Sequence, residues 1–220
     1  MRAGGWLTIA FGASLVLAAA SVGDDGRGKE IFSTVCSACH GPQGGGNQAL
    51  LAPSIAGLDE WYIVLQLDKF RAGRRGFHSE DVGGQRMAVM ARSLNDEDAV
   101  REVAAYVASL PPVKPVPTIS GGNSAQGANV YAACIACHGF AGDGNRVIDA
   151  PAINHASDWY LLQQLHNYKE GLRGSTPDDR NGPLMRAMAR TLPDEQAMKD
   201  VIAYISTALT PIRGTMTSPE

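Results

Sequence analysis

Two cysteines separated by two residues and followed at once by a histidine occur twice in this chain, as Cys36, Cys39 and His40 in CSACH and as Cys134, Cys137 and His138 in CIACH. Thiol and imidazole groups in that order can hold a structural zinc ion, exchange electrons as a dithiol, form a disulfide or carry a covalent haem. Zinc takes four ligands, commonly two cysteine pairs about 15 to 20 residues apart, whereas 94 residues lie between Cys39 and Cys134. A thioredoxin-type dithiol follows a strand in a βαβ unit, but the residues ahead of Cys36, GKEIFSTV, have helical spacing. A disulfide inside the motif gives no reason for a histidine to follow both pairs. Cys-x-x-Cys-His is the attachment signature of c-type haem: both thiols add to vinyl groups, and the helical turn after them brings the histidine to the iron. The expectation is two covalently bound haem c groups, with His40 and His138 as axial iron ligands.

The motifs belong to a longer repeat. Cys36 maps to Cys134 at an offset of 98, and the same offset carries Gly44, Gly46 and Asn47 onto Gly142, Gly144 and Asn145. It also relates Pro53 to Pro151, Trp61 and Tyr62 to Trp159 and Tyr160, Gln66 to Gln164, and Tyr106 to Tyr204. No insertion or deletion interrupts it between the first cysteine and the last tyrosine.

A sixth iron ligand needed by both haems should recur at this offset. His78, His155 and His166 map to Thr176, Gly57 and Asp68, so all three read as surface or loop residues. Met198 and Met216 have no counterparts and read as packing and tail. Met87 and Met90 meet Met185 and Met188, and either member of each pair could be a ligand or ordinary helix packing. Methionine opposite histidine raises the reduction potential and closes the last coordination site, as an electron carrier requires.

The elements that must position these residues are helical. Ile31, Phe32 and Val35 share a face before Gly41 and Pro42. LDEWYIVLQLDKFRAG and SDWYLLQQLHNYKEG read as helices ending at Gly73 and Gly171. NDEDAVREVAAYVASLPP starts on Asn95 as the expected cap, and Pro193 takes that place in the second copy. Convincing strand alternation is missing, so the expected fold is all-α. Residues 24–112 and 124–212 form the two domains, joined by the Pro/Gly-rich segment 113–123, read as an extended stretch ending in a flexible joint. Modules this small bury little core, and a cofactor in each would supply a staple.

Charge and termini bound the setting. The formal net charge of -3 gives no reason to expect nucleic acid. Arg2, the apolar run from Leu7 to Ala20 and the alanines at its end read as a cleaved signal peptide over residues 1–20. That run is shorter than the about 20 residues a membrane span needs. The expected location is the periplasm, with membrane association arising only through a complex or an uncleaved anchor; residues 213–220 read as a tail.

CHG after each cysteine pair, the proline after a Gly-rich loop, Y-x-x-x-Q-L at 62–67 and 160–165, the methionine segment and the L-x-D-E that follows resemble the class I cytochrome c fold. Two copies in one exported chain resemble the dihaem cytochrome c4 family. The resemblance implies two tandem class I cytochrome c domains, each a few helices wrapped around one haem. It selects Met87 and Met185, seven residues before Leu94 and Leu192, as axial ligands, with Met90 and Met188 as the fallback. It implies that the carbonyls of Pro53 and Pro151 bind the histidine rings, and that Phe32 touches Tyr106. In the second copy Val130 stands at the place of Phe32, so that contact is weaker or shifted to Tyr131. Arg75 and Arg173 either pair with haem propionates or lie in solvated loops. The implied function is electron transfer from a quinol-oxidising complex or dehydrogenase to a haem-copper terminal oxidase, as a soluble carrier or complex subunit. A dihaem peroxidase is the alternative, and it would need one iron with an open or histidine-gated site.

Overall fold

The computed structural model describes Met1 and residues 25–209, so the expected signal peptide beyond Met1 and the 213–220 tail lie outside the described residues. Helices α1 (Asp25–Ile31), α2 (Ser37–His40), α3 (Glu60–Arg71), α4 (Val82–Arg92) and α5 (Glu97–Ser109) make the first module. The second repeats them as α6 (Ser124–Tyr131), α7 (Ile135–His138), α8 (Asp158–Glu170), α9 (Gly182–Thr191) and α10 (Glu195–Ala208). Among the described residues extended pairing is confined to two isolated bridges, Asn47 with Ala52 and Asn145 with Ala150, so the fold is all-α.

In each module the first helix crosses the last at a glycine. A β-carbon on Gly28 would collide with the Glu102 carbonyl of α5, and one on Gly127 with the Asp200 carbonyl of α10. Four residues on, Phe32 lies 5.4 Å from Tyr106 at 52°, and Tyr131 lies 5.4 Å from Tyr204 at 48°. Tyr131 therefore takes the place of Phe32, and its hydroxyl donates to the Gly139 carbonyl at 2.7 Å. The reason that Val130 does not is local. Residues Phe32–Cys36 form a π-helical turn between α1 and α2, which accommodates one more residue before the cysteine than the second module has.

Around these contacts Phe32, Leu67, Phe70, Leu94, Val100, Val103 and Val107 pack into the first core. Tyr131, Val201, Ile202, Ile205 and Leu209 form a smaller second one. Helix α5 is capped by Asp96, which accepts from the Ala99 amide at 2.6 Å, and not by Asn95. Asp194, accepting from Ala197 at 2.9 Å, and not Pro193, caps α10. Aspartate wins in both because its carboxylate satisfies a free amide at the positive end of the helix dipole.

The segment between the modules is tied down. Asp158, at the start of α8 and 3% exposed, accepts from the Thr118 amide at 2.5 Å, the Thr118 hydroxyl at 3.1 Å and the Ile119 amide at 2.6 Å. Lys114 donates to the Leu209 carbonyl at 3.0 Å. Among the described residues no helix is long and apolar enough to cross a membrane.

Candidate functional site

In each module the first cysteine stands at the N-terminal cap of the short helix that ends in the motif histidine, and the second lies within that helix. All four thiols are free; Cys36 and Cys134 are half-buried, while Cys39 and Cys137 are exposed. Burial, reinforced by Cys39, pushes the Cys36 thiol up to about 11. Burial raises Cys134 likewise, with Cys137 adding to it.

The loop after the histidine returns the chain to it. The Gly46 amide donates to the His40 carbonyl at 2.8 Å. Gly46 has φ +89°, and a β-carbon there would stand 2.6 Å from the Ser54 nitrogen and 2.7 Å from the Pro53 carbonyl carbon, so only glycine lets the loop close this tightly. The Asn47 side chain accepts from the Ala49 amide at 3.1 Å, and its backbone bridges to Ala52. Pro53 follows directly, its carbonyl 2.9 Å from Nδ1 of His40. The second module repeats the path: Gly144 donates to the His138 carbonyl at 2.9 Å, and Nδ1 of His138 lies 2.9 Å from the Pro151 carbonyl.

A carbonyl only accepts, so each Nδ1 carries the proton and Nε2 keeps its lone pair. Burial holds His40 and His138 below the ordinary histidine range, against the opposing pull of the proline bonds. Each module thus offers a neutral, oriented imidazole and two free thiols on the turn before it, a donor set that fits a covalently attached, histidine-ligated haem.

The methionine pairs lie on α4 and α9. Met87 is half-buried and packs against the first core, and Met185 is half-buried. Met90 and Met188 are more open, at 38% and 37% exposure. His78 and His166 are both half-buried, His166 lying 3.8 Å from Glu195. His155 is not a surface residue: it is 6% exposed, its Nδ1 2.9 Å from Oδ1 of Asn154.

Where the modules meet, the repeat makes a nearly symmetric polar contact. Arg75 donates to Gln66 at 2.8 Å and across to Gln164 at 3.3 Å and the Tyr160 hydroxyl at 2.5 Å. Arg173 donates to Gln164 at 2.7 Å and across to Gln66 at 2.9 Å. Both arginines are buried, 6% and 5% exposed, which overturns the solvated-loop alternative for them. Their hydrogen-bonded side-chain partners are neutral, and Nε of Arg75 has none. A group bearing carboxylates, as haem does, fits two buried guanidiniums left without an anion. Lys69 pairs with Asp179 at 2.6 Å and Asn167 donates to Asp81 at 3.1 Å across the same contact. The sequence signal for these four was weak: a polar residue among several on a mixed helix, or an aspartate two or three residues before a glycine.

A family model described as cytochrome c matches residues 26–111 and again 124–208. Cytochrome c4 of Azotobacter vinelandii is 31% identical over 82% of this chain and 85% of its own length. The chain belongs to the cytochrome c4 family. As in that family, its two class I modules carry two covalently bound haem c groups, and the protein is a dihaem electron carrier. The thiosulfate dehydrogenase electron acceptor of Stutzerimonas stutzeri (strain A1501) is 30% identical over 80% of this chain and 85% of its own. The crystal structure of reduced recombinant cytochrome c4 from Pseudomonas stutzeri superposes with a TM-score of 0.64 at 27% identity, covering 83% of this chain and 97% of that one.

Proposed function

We propose that this cytochrome c4 is a periplasmic carrier with two low-spin haems, ligated by His40 and Met87 in the first module and by His138 and Met185 in the second. It takes electrons from a dehydrogenase or quinol-oxidising complex and delivers them to a haem-copper terminal oxidase. The observation that carries this reading is that every element of the site is present twice: the cysteine pair, the histidine held by a proline carbonyl, and a half-buried methionine. Neither module lacks a ligand, as a peroxidase site would require, so we infer transfer without catalysis. The relative named as an acceptor of thiosulfate dehydrogenase supports a dehydrogenase among the donors.

When bound, each haem supplies a one-electron couple at iron. The protein does the rest. Cys36, Cys39, Cys134 and Cys137 would hold each group through thioether bonds. The Pro53 and Pro151 carbonyls keep the proton on Nδ1 and leave the Nε2 lone pair free for the metal, which would also raise the ligand's basicity. Met87 and Met185 would supply the remaining ligand and keep water from that position. Arg75 and Arg173 provide charge for propionates beside the contact between modules, a continuous buried seam that supports electron exchange across it.

Redox titration with Met87→Ala and Met185→Ala, one at a time, tests the assignment. Each change should remove about half of the far-red absorption of methionine-ligated ferric haem and lower one midpoint potential while leaving the other near its original value. Retention of the full band in both variants would move the ligands to Met90 and Met188, and absence of the band from the unaltered protein would discard methionine ligation.

A further inference from the structure

Among the described residues, the contact between the modules is symmetric in all its buried charges but one. The repeat offset of 98 pairs Gln66 with Gln164, Arg75 with Arg173, Tyr62 with Tyr160 and Asp81 with Asp179, but it pairs Lys69 with Asn167. Lys69 is 7% exposed and forms a 2.6 Å ion pair with Asp179, itself 3% exposed. On the opposite side Asp81, 2% exposed, receives only a neutral amide from Asn167 and the Gly84 amide, at 3.1 and 3.0 Å. Its Oδ2 has no hydrogen-bond partner among the described residues. One carboxylate of an equivalent pair is therefore neutralised by a cation and the other is not.

Each aspartate stands at the start of the helix bearing its module's methionine: Asp81 caps α4, and Asp179 accepts from Gly182 at the start of α9. The separations are equal, six residues from Asp81 to Met87 and from Asp179 to Met185. The two aspartates thus stand in matching relation to their modules' methionines, and the matched arginines and tyrosines cancel when the modules are compared. Phe70 opposite Tyr168 differs without a charge. Arg74 and Arg186 have Leu172 and Ala88 as counterparts, but both are only half-buried, where water screens them. A buried charge is screened far less. Negative charge favours the ferric state, because oxidation adds positive charge to the iron.

We infer that Lys69, by neutralising Asp179 while Asp81 stays unneutralised, sets the two haems at unequal potentials, so that the second module is reduced first. The inference rests on the ligation proposed above and assigns Lys69 as a positioning residue for charge that is not itself an iron ligand. It also gives the molecule a direction, since an electron entering either module settles on the second.

The test is redox titration of the full-length, haem-loaded protein, with haem-methyl NMR signals identifying which module is reduced at each step. In the unaltered protein the second module should take the first electron. Lys69→Gln should lower the second module's midpoint, shifting the electron's distribution between modules about tenfold, or about 59 mV for one electron. Asn167→Lys should instead raise the first module's midpoint by a similar amount, and Lys69→Asn combined with Asn167→Lys should reverse the order of reduction. A lysine that merely held the modules together would not produce opposite, module-specific shifts. First reduction of the first module, or midpoints unmoved by Lys69→Gln, would overturn the inference. If Asn167→Lys fails to fold, Lys69→Gln alone decides. Far-red absorption recorded on the same samples separates the two failures: its absence sinks the methionine ligation, whereas its presence with unmoved midpoints sinks the role of Lys69.

Discussion

His155 belongs to neither haem motif, yet its burial contributes to how the molecule meets acid. The Asn154 amide nitrogen donates to the Ala141 carbonyl at 2.9 Å and to Asp143 at 2.7 Å, so its oxygen faces His155 and fixes the proton on Nδ1. Nε2 is buried without a partner. Burial holds His155 below the ordinary histidine range, with Asp59 and Asp143 pulling the other way. The unfolded chain binds a proton as the pH falls through about 6.5, whereas the folded chain resists it, so the folded state loses stability below that pH and keeps it above. His155→Asn should flatten this acid slope; melting temperatures of the haem-loaded protein between about pH 7 and pH 5 would show it, and an unchanged slope would assign it elsewhere. The repeat could not reveal this residue, because Gly57 occupies the matching place. Matching residues between copies recovers what both modules need and is blind to what only one of them buries.

At the scale of elements, the loop from Gly41 to Pro53 holds the site together. Gly46→Ala would place a β-carbon against the Pro53 and Ser54 backbone at a φ that L-residues avoid. The expected cost is about 2 to 5 kcal/mol, read as a lower unfolding midpoint together with reduced haem attachment in the first module. Gly144→Ala should do the same to the second module and leave the first haem in place. Most of this scale was legible beforehand. Apolar spacing located the long helices, and Gly171 does end α8, at φ +82°. The caps were less legible: Asn95 and Asp96 are adjacent, both are good capping residues, and only the three-dimensional path of the chain selects Asp96. The π-helical turn was not legible, because its residues, FSTVC, are compatible with an ordinary helix. It exists because two fixed points, the Phe32–Tyr106 contact and the cysteine, lie one residue too far apart for an α-turn.

For the whole molecule, the segment joining the modules acts as a strap. Asp158→Ala removes the acceptor of the three hydrogen bonds from Thr118 and Ile119 and should cost about 2 to 4 kcal/mol. Denaturant unfolding would measure the loss, and faster protease cleavage within residues 113–123 would locate it. The proline and glycine content of that segment suggested looseness, but composition does not disclose an acidic partner 40 residues away. The Gln66, Arg75, Gln164 and Arg173 contact was hidden for the same reason: the repeat marked these residues as equivalent, and only packing brought the two copies face to face. The extra residue in the π-turn has its own consequence for the whole chain. Downstream of each cysteine the copies align at 98, but the helix–helix contacts upstream, Gly28 with Gly127 and Phe32 with Tyr131, align at 99. A hybrid molecule that exchanged first helices between modules at the 98-residue spacing would rotate the transplanted helix by about 100°, turning its aromatic anchor away from the partner tyrosine. Grafts joined upstream of the cysteine must shift by one residue, whereas grafts joined after it need no shift.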